Sequence, residues 1–243
     1  MNKQKIIVIV RTRDEAHRIG QFCASYRDAD MILVADGGSL DNTIEIAQTF
    51  PNVIIRNYTE RVELGNGYWR NNDSDHANFL FRWAYSLHPD WVIYDDCDCV
   101  PNFLLKQDYR TILAETDKDF VMAVRLYLWG TDQHFPYMAK PEANHVIYEP
   151  SLWAWRGGID FWTVDVPPAY TFRIGGMPVK DLHYDAETLD LLPPYCLIHK
   201  SWDDPVRVEK KIQYYRESGF IPGMLHPMEF AGPLEPIPDF LRE

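Results

Sequence analysis

The sequence has 243 residues, 46% of them hydrophobic and 25% charged, with a formal net charge of -12. That length suits one α/β domain with a full core, and the apolar and aromatic content excludes an intrinsically disordered chain. The acidic balance, with no polybasic run, argues against a nucleic-acid partner, because nothing offers the cationic surface that neutralises backbone phosphates.

The first apolar run, KIIVIV (5–10), has strand length. It is too short for a signal-peptide core or a membrane span, so the chain is expected to be cytoplasmic with no membrane span. A helix is expected from Asp14, as its N-cap, to about Asp28, with Ile19, Phe22, Cys23 and Tyr26 along one face. A second strand, MILVAD (31–36), ends in Asp36 and passes through Gly37, Gly38 and Ser39 into a helix opening at Asp41 and running through Ile44, Ile46 and Ala47. NVIIRN (52–57) and DWVIYDD (90–96) read as the next strands. Because these strands are continuously apolar and alternate with helices, they predict a mostly parallel sheet covered on both faces. Ligands of such sheets sit beyond the carboxyl ends of the strands, where Asp36 and the cluster Asp95–Asp98 fall.

After residue 119 the pattern loosens. FVMAVRLYLWG (120–130) and HVIYEPSLWAW (145–155) read as strands between aromatic, proline-containing loops. Trp129, Trp153, Trp155 and Trp162 either line an acceptor cleft or fill the core. A last helix is marked by Asp203 or Asp204 as cap, Pro205 in its first turn and Gly219 past its end, and the proline-rich tail from Ile221 is expected to wrap the surface as an irregular arm. No repeat or linker divides the chain, so the expectation is a single domain with segments 1–118, 119–220 and 221–243. The four cysteines, Cys23, Cys97, Cys99 and Cys196, lack zinc spacing and read as reduced thiols; Cys97 and Cys99 could ligate a soft metal, yet two thiolates do not complete a tetrahedral site.

The densest chemistry is WVIYDDCDCVPN (91–102). Asp96 and Asp98, two apart where a strand ends, can face one hard cation such as Mg²⁺ or Mn²⁺, and such ions also bind phosphates. An isolated D-x-D is more often an acidic surface turn; the preceding buried-strand pattern is what favours the site here.

Together these segments resemble the family 2 glycosyltransferases of the GT-A fold. VRTRDEAHRI is similar to the family's first strand and loop, VADGGSLDNTIEIAQTF to its Asp-Ser-Gly-Ser-x-Asp-x-Thr segment with Gly37 where Ser is usual, and WVIYDDCDC to its D-x-D strand, over roughly residues 5–102. The resemblance implies a GT-A-like domain with a nucleotide-sugar-binding half (1–118), an acceptor half (119–220) and a C-terminal arm (221–243). It implies that Thr12, Arg13 and Glu15 lie beside the nucleotide, that Asp36 binds the base or ribose with Gly38 in its turn, and that Arg70 reaches the nucleotide sugar. Asp98, with Asp96, would hold the Mn²⁺ or Mg²⁺. In PPYCLIHKSW (193–202), similar to the family's closing strand, His199 would be a third ligand or a diphosphate contact, with Lys200 a second phosphate candidate. Asp165, or Asp160, would be the base. Asp14 stands where Asn is common, which leaves the base preference open.

The activity implied is metal-dependent transfer of a sugar, with inversion, from a nucleotide-diphosphate sugar donor to a hydroxyl acceptor of unknown class. Two alternatives stay open: a nucleotidyltransferase, although VRTRDEAHR lacks the glycine cluster that cradles a triphosphate, and a noncatalytic carbohydrate- or nucleotide-sugar-binding protein of the same fold.

Overall fold

A computed structural model describes residues 3–64, 67–129, 133–135, 150–159, 161–166, 169–174, 177–178, 187–202, 204–218 and 235–236. In chain order its elements are β1 (Ile6–Thr12), α1 (Ile19–Ser25), β2 (Met31–Asp36), α2 (Thr43–Ala47), β3 (Val53–Asn57), β4 (Arg61–Glu63), β5 (Trp69–Asn71), α3 (Asp73–Tyr85), β6 (Trp91–Tyr94), β7 (Cys99–Pro101) and α4 (Phe103–Glu115). There follow β8 (Phe120–Trp129), β9 (Gln133–Phe135), β10 (Pro150–Arg156), β11 (Phe161–Val166), β12 (Ala169–Ile174), β13 (Met177–Pro178), β14 (Thr188–Leu191), β15 (Leu197–Trp202), α5 (Pro205–Glu217) and β16 (Glu235–Pro236).

One large sheet, in the order β16-β9-β8-β10-β6-β1-β2-β3, organises the fold. Strands β3, β2, β1 and β6 are parallel; the apolar runs of β1, β2 and β6 suit strands covered on both faces, while the edge strand β3 is half-exposed and ends in Arg56 and Asn57. Residue alternation sends Ile6, Val8 and Val10 into one core and Ile7 and Ile9 into the other, with β2 and β6 divided in the same way. From β10 onward the sheet is mixed: β10 runs antiparallel between β6 and β8, while β14 and β15 lie parallel to β8. A small sheet, β11-β12-β13, packs its first strand on α3. Among the described residues no helix is long and apolar enough to cross a membrane.

Three helices start at side chains that satisfy otherwise orphaned backbone N–H groups. Asn72 accepts from Asp75 N at 3.1 Å, Asn102 from Leu105 N at 3.1 Å, and Asp204 from Val206 N at 3.0 Å. Asp204, with Pro205 behind it, is therefore the cap of α5; Asp203 and Gly219 lie outside the described residues.

One expectation is corrected, and one pair of alternatives is decided. Asp14 does not cap the first helix, which spans only Ile19–Ser25 and has no side-chain cap; Asp14 sits instead at φ 56° in a turn and accepts Leu40 N at 2.7 Å. The tryptophans Trp153 and Trp155 do not line a cleft: both are fully buried. A bulge between Leu152 and Ala154 sends these residues, two apart, to opposite sides of the sheet, where Trp153 Nε1 donates to the Tyr26 hydroxyl at 3.1 Å and Trp155 Nε1 to that of Tyr85 at 3.2 Å. The side chains of Trp129 and Trp162 lie outside the described residues, as does most of the tail, of which only Glu235–Pro236 is described, paired with β9.

Candidate functional site

The carboxyl ends of β1 and β6 open onto a cavity of about 440 Å³, within the range of small-molecule sites. Thr12, Arg13 and Glu15 enter it from β1 and the following loop, Arg70 from β5, Asp96 and Asp98 from the loop after β6, and His199 from β15. Seven expected residues thus share one wall. Asp36 and Gly38 are not in the lining. The Asp36 carboxylate is buried and accepts Gly38 N and Ser39 N, each at 2.9 Å, and the Ser39 hydroxyl, so it shapes the turn after β2. Gly38 has φ +89°, which a side chain would strain.

That turn holds the loop after β1 in place. Asp14 N donates to Ser39 Oγ at 2.9 Å, Glu15 N to Thr43 Oγ1 at 2.8 Å and Ala16 N to Asp41 Oδ2 at 3.1 Å. The segment SLDNT therefore supplies three acceptors to one neighbouring loop, which presents Arg13 and Glu15 to the cavity. Arg13 lies 4.5 Å over the Trp69 ring, whose centroid is also 3.8 Å from the Arg61 guanidinium.

Gly37, where the resembled family has Ser, has a steric reason. A Cβ there would stand 2.1 Å from Asn71 Oδ1, and Asn71 lines the cavity while donating to Glu60 O at 3.2 Å. Gly37→Ala is expected to displace Asn71 and cost about 1–3 kcal/mol, as overpacking does. Urea unfolding of the variant measures the loss, and Asn71→Ala in the same background should recover most of it.

The D-x-D loop is anchored from behind. Asp95 is fully buried and meets Arg125 Nη2 at 3.3 Å; burial pushes its carboxyl up to about 7 against the pull of that guanidinium. Asp96 faces Arg11 Nη2 at 3.3 Å, and Arg11 also reaches Asp73 Oδ1 at 3.1 Å. Asp98 lies 3.8 Å from His199 Nε2 and 3.7 Å from Arg18 Nη1. Burial lowers the pKa of His199, which keeps the imidazole neutral, and the Tyr127 ring packs 4.5 Å away. Glu15 is pushed up to about 7 by burial, opposed by Arg18. Burial also raises the thiols of Cys97 and Cys99 well above their ordinary value.

Among the described residues no three His, Cys, Asp or Glu side chains are gathered closely enough to hold an ion by themselves. Asp98 and His199 stand together, and Asp96 turns to Arg11. A cation that keeps waters and is completed by substrate phosphates needs only one or two protein carboxylates, and that donor set fits the pair. Asp160 lies outside the described residues. Asp165 falls in β11 opposite Tyr170, and its side chain lies outside them.

Residues not foreseen from the sequence complete the walls. Arg11, Asp73 and His76 enter from β1 and α3, and Lys211, Tyr214 and Tyr215 from α5, which local pattern alone reads as an ordinary solvated helix. His76 stacks on Tyr58 with centroids 4.3 Å apart, and its Nε2, 3.0 Å from Ala35 O, must be the protonated nitrogen, because a carbonyl only accepts. Burial drives its pKa from 6.5 down to about 3. A depressed value means that its contribution to stability is present above pH 6.5 and lost as pH falls from there toward 3. Wild type should lose about 2 kcal/mol more than His76→Gln between neutral pH and about pH 4.5, read by urea unfolding at both.

No family model matches the chain. It is 27% identical over 222 residues to uncharacterised proteins of Mycobacterium tuberculosis and Mycobacterium bovis, a match covering 86% of this chain; it spans about half the length, 49%, of those relatives. The crystal structure of TarS from S. aureus superposes with a TM-score of 0.53 at 14% identity, covering 93% of this chain and 41% of TarS. TarS 1-349 in complex with UDP gives a TM-score of 0.50 at 13% identity over 93% of this chain and 77% of that one. The α/β fold of this chain, a large curled sheet flanked by helices, is similar to that of the part of TarS on which it superposes.

Proposed function

We propose that the chain transfers a glycosyl group from a nucleotide-diphosphate sugar to an acceptor hydroxyl, with Mn²⁺ or Mg²⁺ entering alongside the donor and inversion at the sugar carbon. The observation that carries this reading is the meeting of Asp98 and His199, 3.8 Å apart, in a cavity at the carboxyl ends of the parallel strands that Arg11, Arg13 and Arg70 also line. TarS, which shares the fold, has been crystallised with UDP, and a nucleoside diphosphate suits a cavity of about 440 Å³.

In this reading Asp98 and His199 hold the cation, with Asp96 beside them. The ion they would hold would supply neutralisation of the charge that develops on the leaving diphosphate. Thr12, Arg13 and Glu15 flank the nucleotide, Arg70 reaches the nucleotide sugar, and Asp36 with Gly38 fixes the turn that supports them. Asp165 takes the acceptor proton, with Asp160 as the other candidate. Support for Asp165 is the packing of β11 on α3, the helix whose Asp73 and His76 line the cavity.

The test is a panel of UDP-, GDP-, ADP- and CMP-sugars incubated with the protein and Mn²⁺, following release of the nucleotide. Metal-dependent release from one donor is expected, water serving as a slow acceptor. Binding of a donor without any release would favour the noncatalytic alternative, and no binding of any donor would overturn the reading.

A further inference from the structure

A second compartment, about 310 Å³, adjoins the first and shares Glu15, Asp98, Lys211 and Tyr214 with it. Its remaining walls are Arg18, Arg207 and Lys210, so four cations face two carboxylates in a protein whose net charge is -12. Three of the cations lie on α5, where Arg207, Lys210 and Lys211 recur at the three- and four-residue spacing that puts side chains on one helix face. Arg207 Nη1 is buried and, among the described residues, meets no hydrogen-bond acceptor. A buried guanidinium N–H without an acceptor carries a desolvation cost that an anion in the compartment would offset.

We propose that this compartment is an anion subsite for the second substrate: the acceptor carries a phosphate or carboxylate group, which Arg207, Lys210 and Lys211 receive while its hydroxyl faces the donor across the shared wall. The inference rests on the glycosyl-transfer reading above. The first cavity has its own arginines, none of which lines the second: Arg11 and Arg70 are paired with Asp73, and Arg13 lies over the Trp69 ring. The other source of the same chemistry is the donor's terminal phosphate, and the two differ in whether a nucleoside diphosphate competes.

The experiment titrates inorganic phosphate into the protein, alone and after saturation with UDP and Mg²⁺, by NMR or calorimetry. Phosphate is expected to bind in both cases, about tenfold more weakly in Arg207→Gln and in Lys211→Met, and within twofold of wild type in Arg82→Gln, an exposed cation of α3 outside both compartments. Displacement of phosphate by UDP would overturn the proposal and give the cations to the donor diphosphate. Absence of phosphate binding, or binding indifferent to both α5 variants, would overturn it outright. Failure of UDP, GDP and ADP all to bind would instead sink the glycosyl-transfer reading, and the acceptor assignment with it, a result separable from the phosphate titration.

Discussion

Asp98→Asn is expected to weaken divalent-dependent UDP binding by about 100-fold or more, roughly 2.7 kcal/mol, while the fold stays intact. The Asp98 side chain is only 14% exposed, so little water screens it from an ion beside His199. Asparagine keeps the shape and removes the charge. Arg18, the cation left behind, retains Glu15 Oε2 at 3.8 Å and donates to Lys200 O at 2.6 Å, so it does not become an isolated buried charge. The melting temperature of the unliganded variant should therefore move by no more than about 4 °C. Calorimetric titration of UDP with and without Mn²⁺ checks the first effect and a thermal scan the second. An unchanged, metal-dependent affinity would remove Asp98 from the proposed site.

Arg125→Met is expected to cost about 3 kcal/mol of stability, and with it roughly 6–12 °C in melting temperature. Asp95 has no exposed side-chain surface, so removal of its partner leaves a carboxylate that must stay buried alone or take up a proton. The figure is set at the low end of the range for breaking a buried pair because the Arg125 side chain is 22% exposed. Combining Arg125→Met with Asp95→Asn should recover at least half of the loss, since no charge is then stranded. Because Asp95 anchors the loop that carries Asp96 and Asp98, the single variant should also weaken nucleotide binding, and the double variant should regain part of it. Thermal denaturation of the four proteins in the cycle measures the coupling directly.

The inner strands of the parallel half were legible because each is buried on both faces and must be apolar along its run, unlike the half-exposed edge strand β3. KIIVIV, MILVAD and WVIY satisfy that condition and correspond to β1, β2 and β6. The D-x-D loop was read for the same reason, as carboxylates breaking out of a buried strand, whereas His199 was reached only through the family resemblance. What sequence could not supply was set by contacts between distant segments. Asp14 has the composition of a helix cap, yet its carboxylate is taken by Leu40 N from the neighbouring loop. Trp153 and Trp155 have the spacing of one strand face, and only the bulge in β10 divides them between two cores. Arg207, Lys210 and Lys211 carry no mark that separates them from a solvated helix surface until α5 is seen beside Glu15 and Asp98. Gly37, by contrast, was a visible departure whose cause, the Asn71 side chain 34 residues later, only the folded chain reveals.

The central claim is that Asp98 and His199 grip a divalent cation which in turn grips a pyrophosphate. Crystals grown with Mn²⁺ and UDP, with data collected at the manganese absorption edge, test it most directly. An anomalous peak bridging the Asp98 carboxylate and the UDP diphosphate is the predicted result. UDP bound with its phosphates on arginines alone, and manganese absent from Asp98, would contradict it.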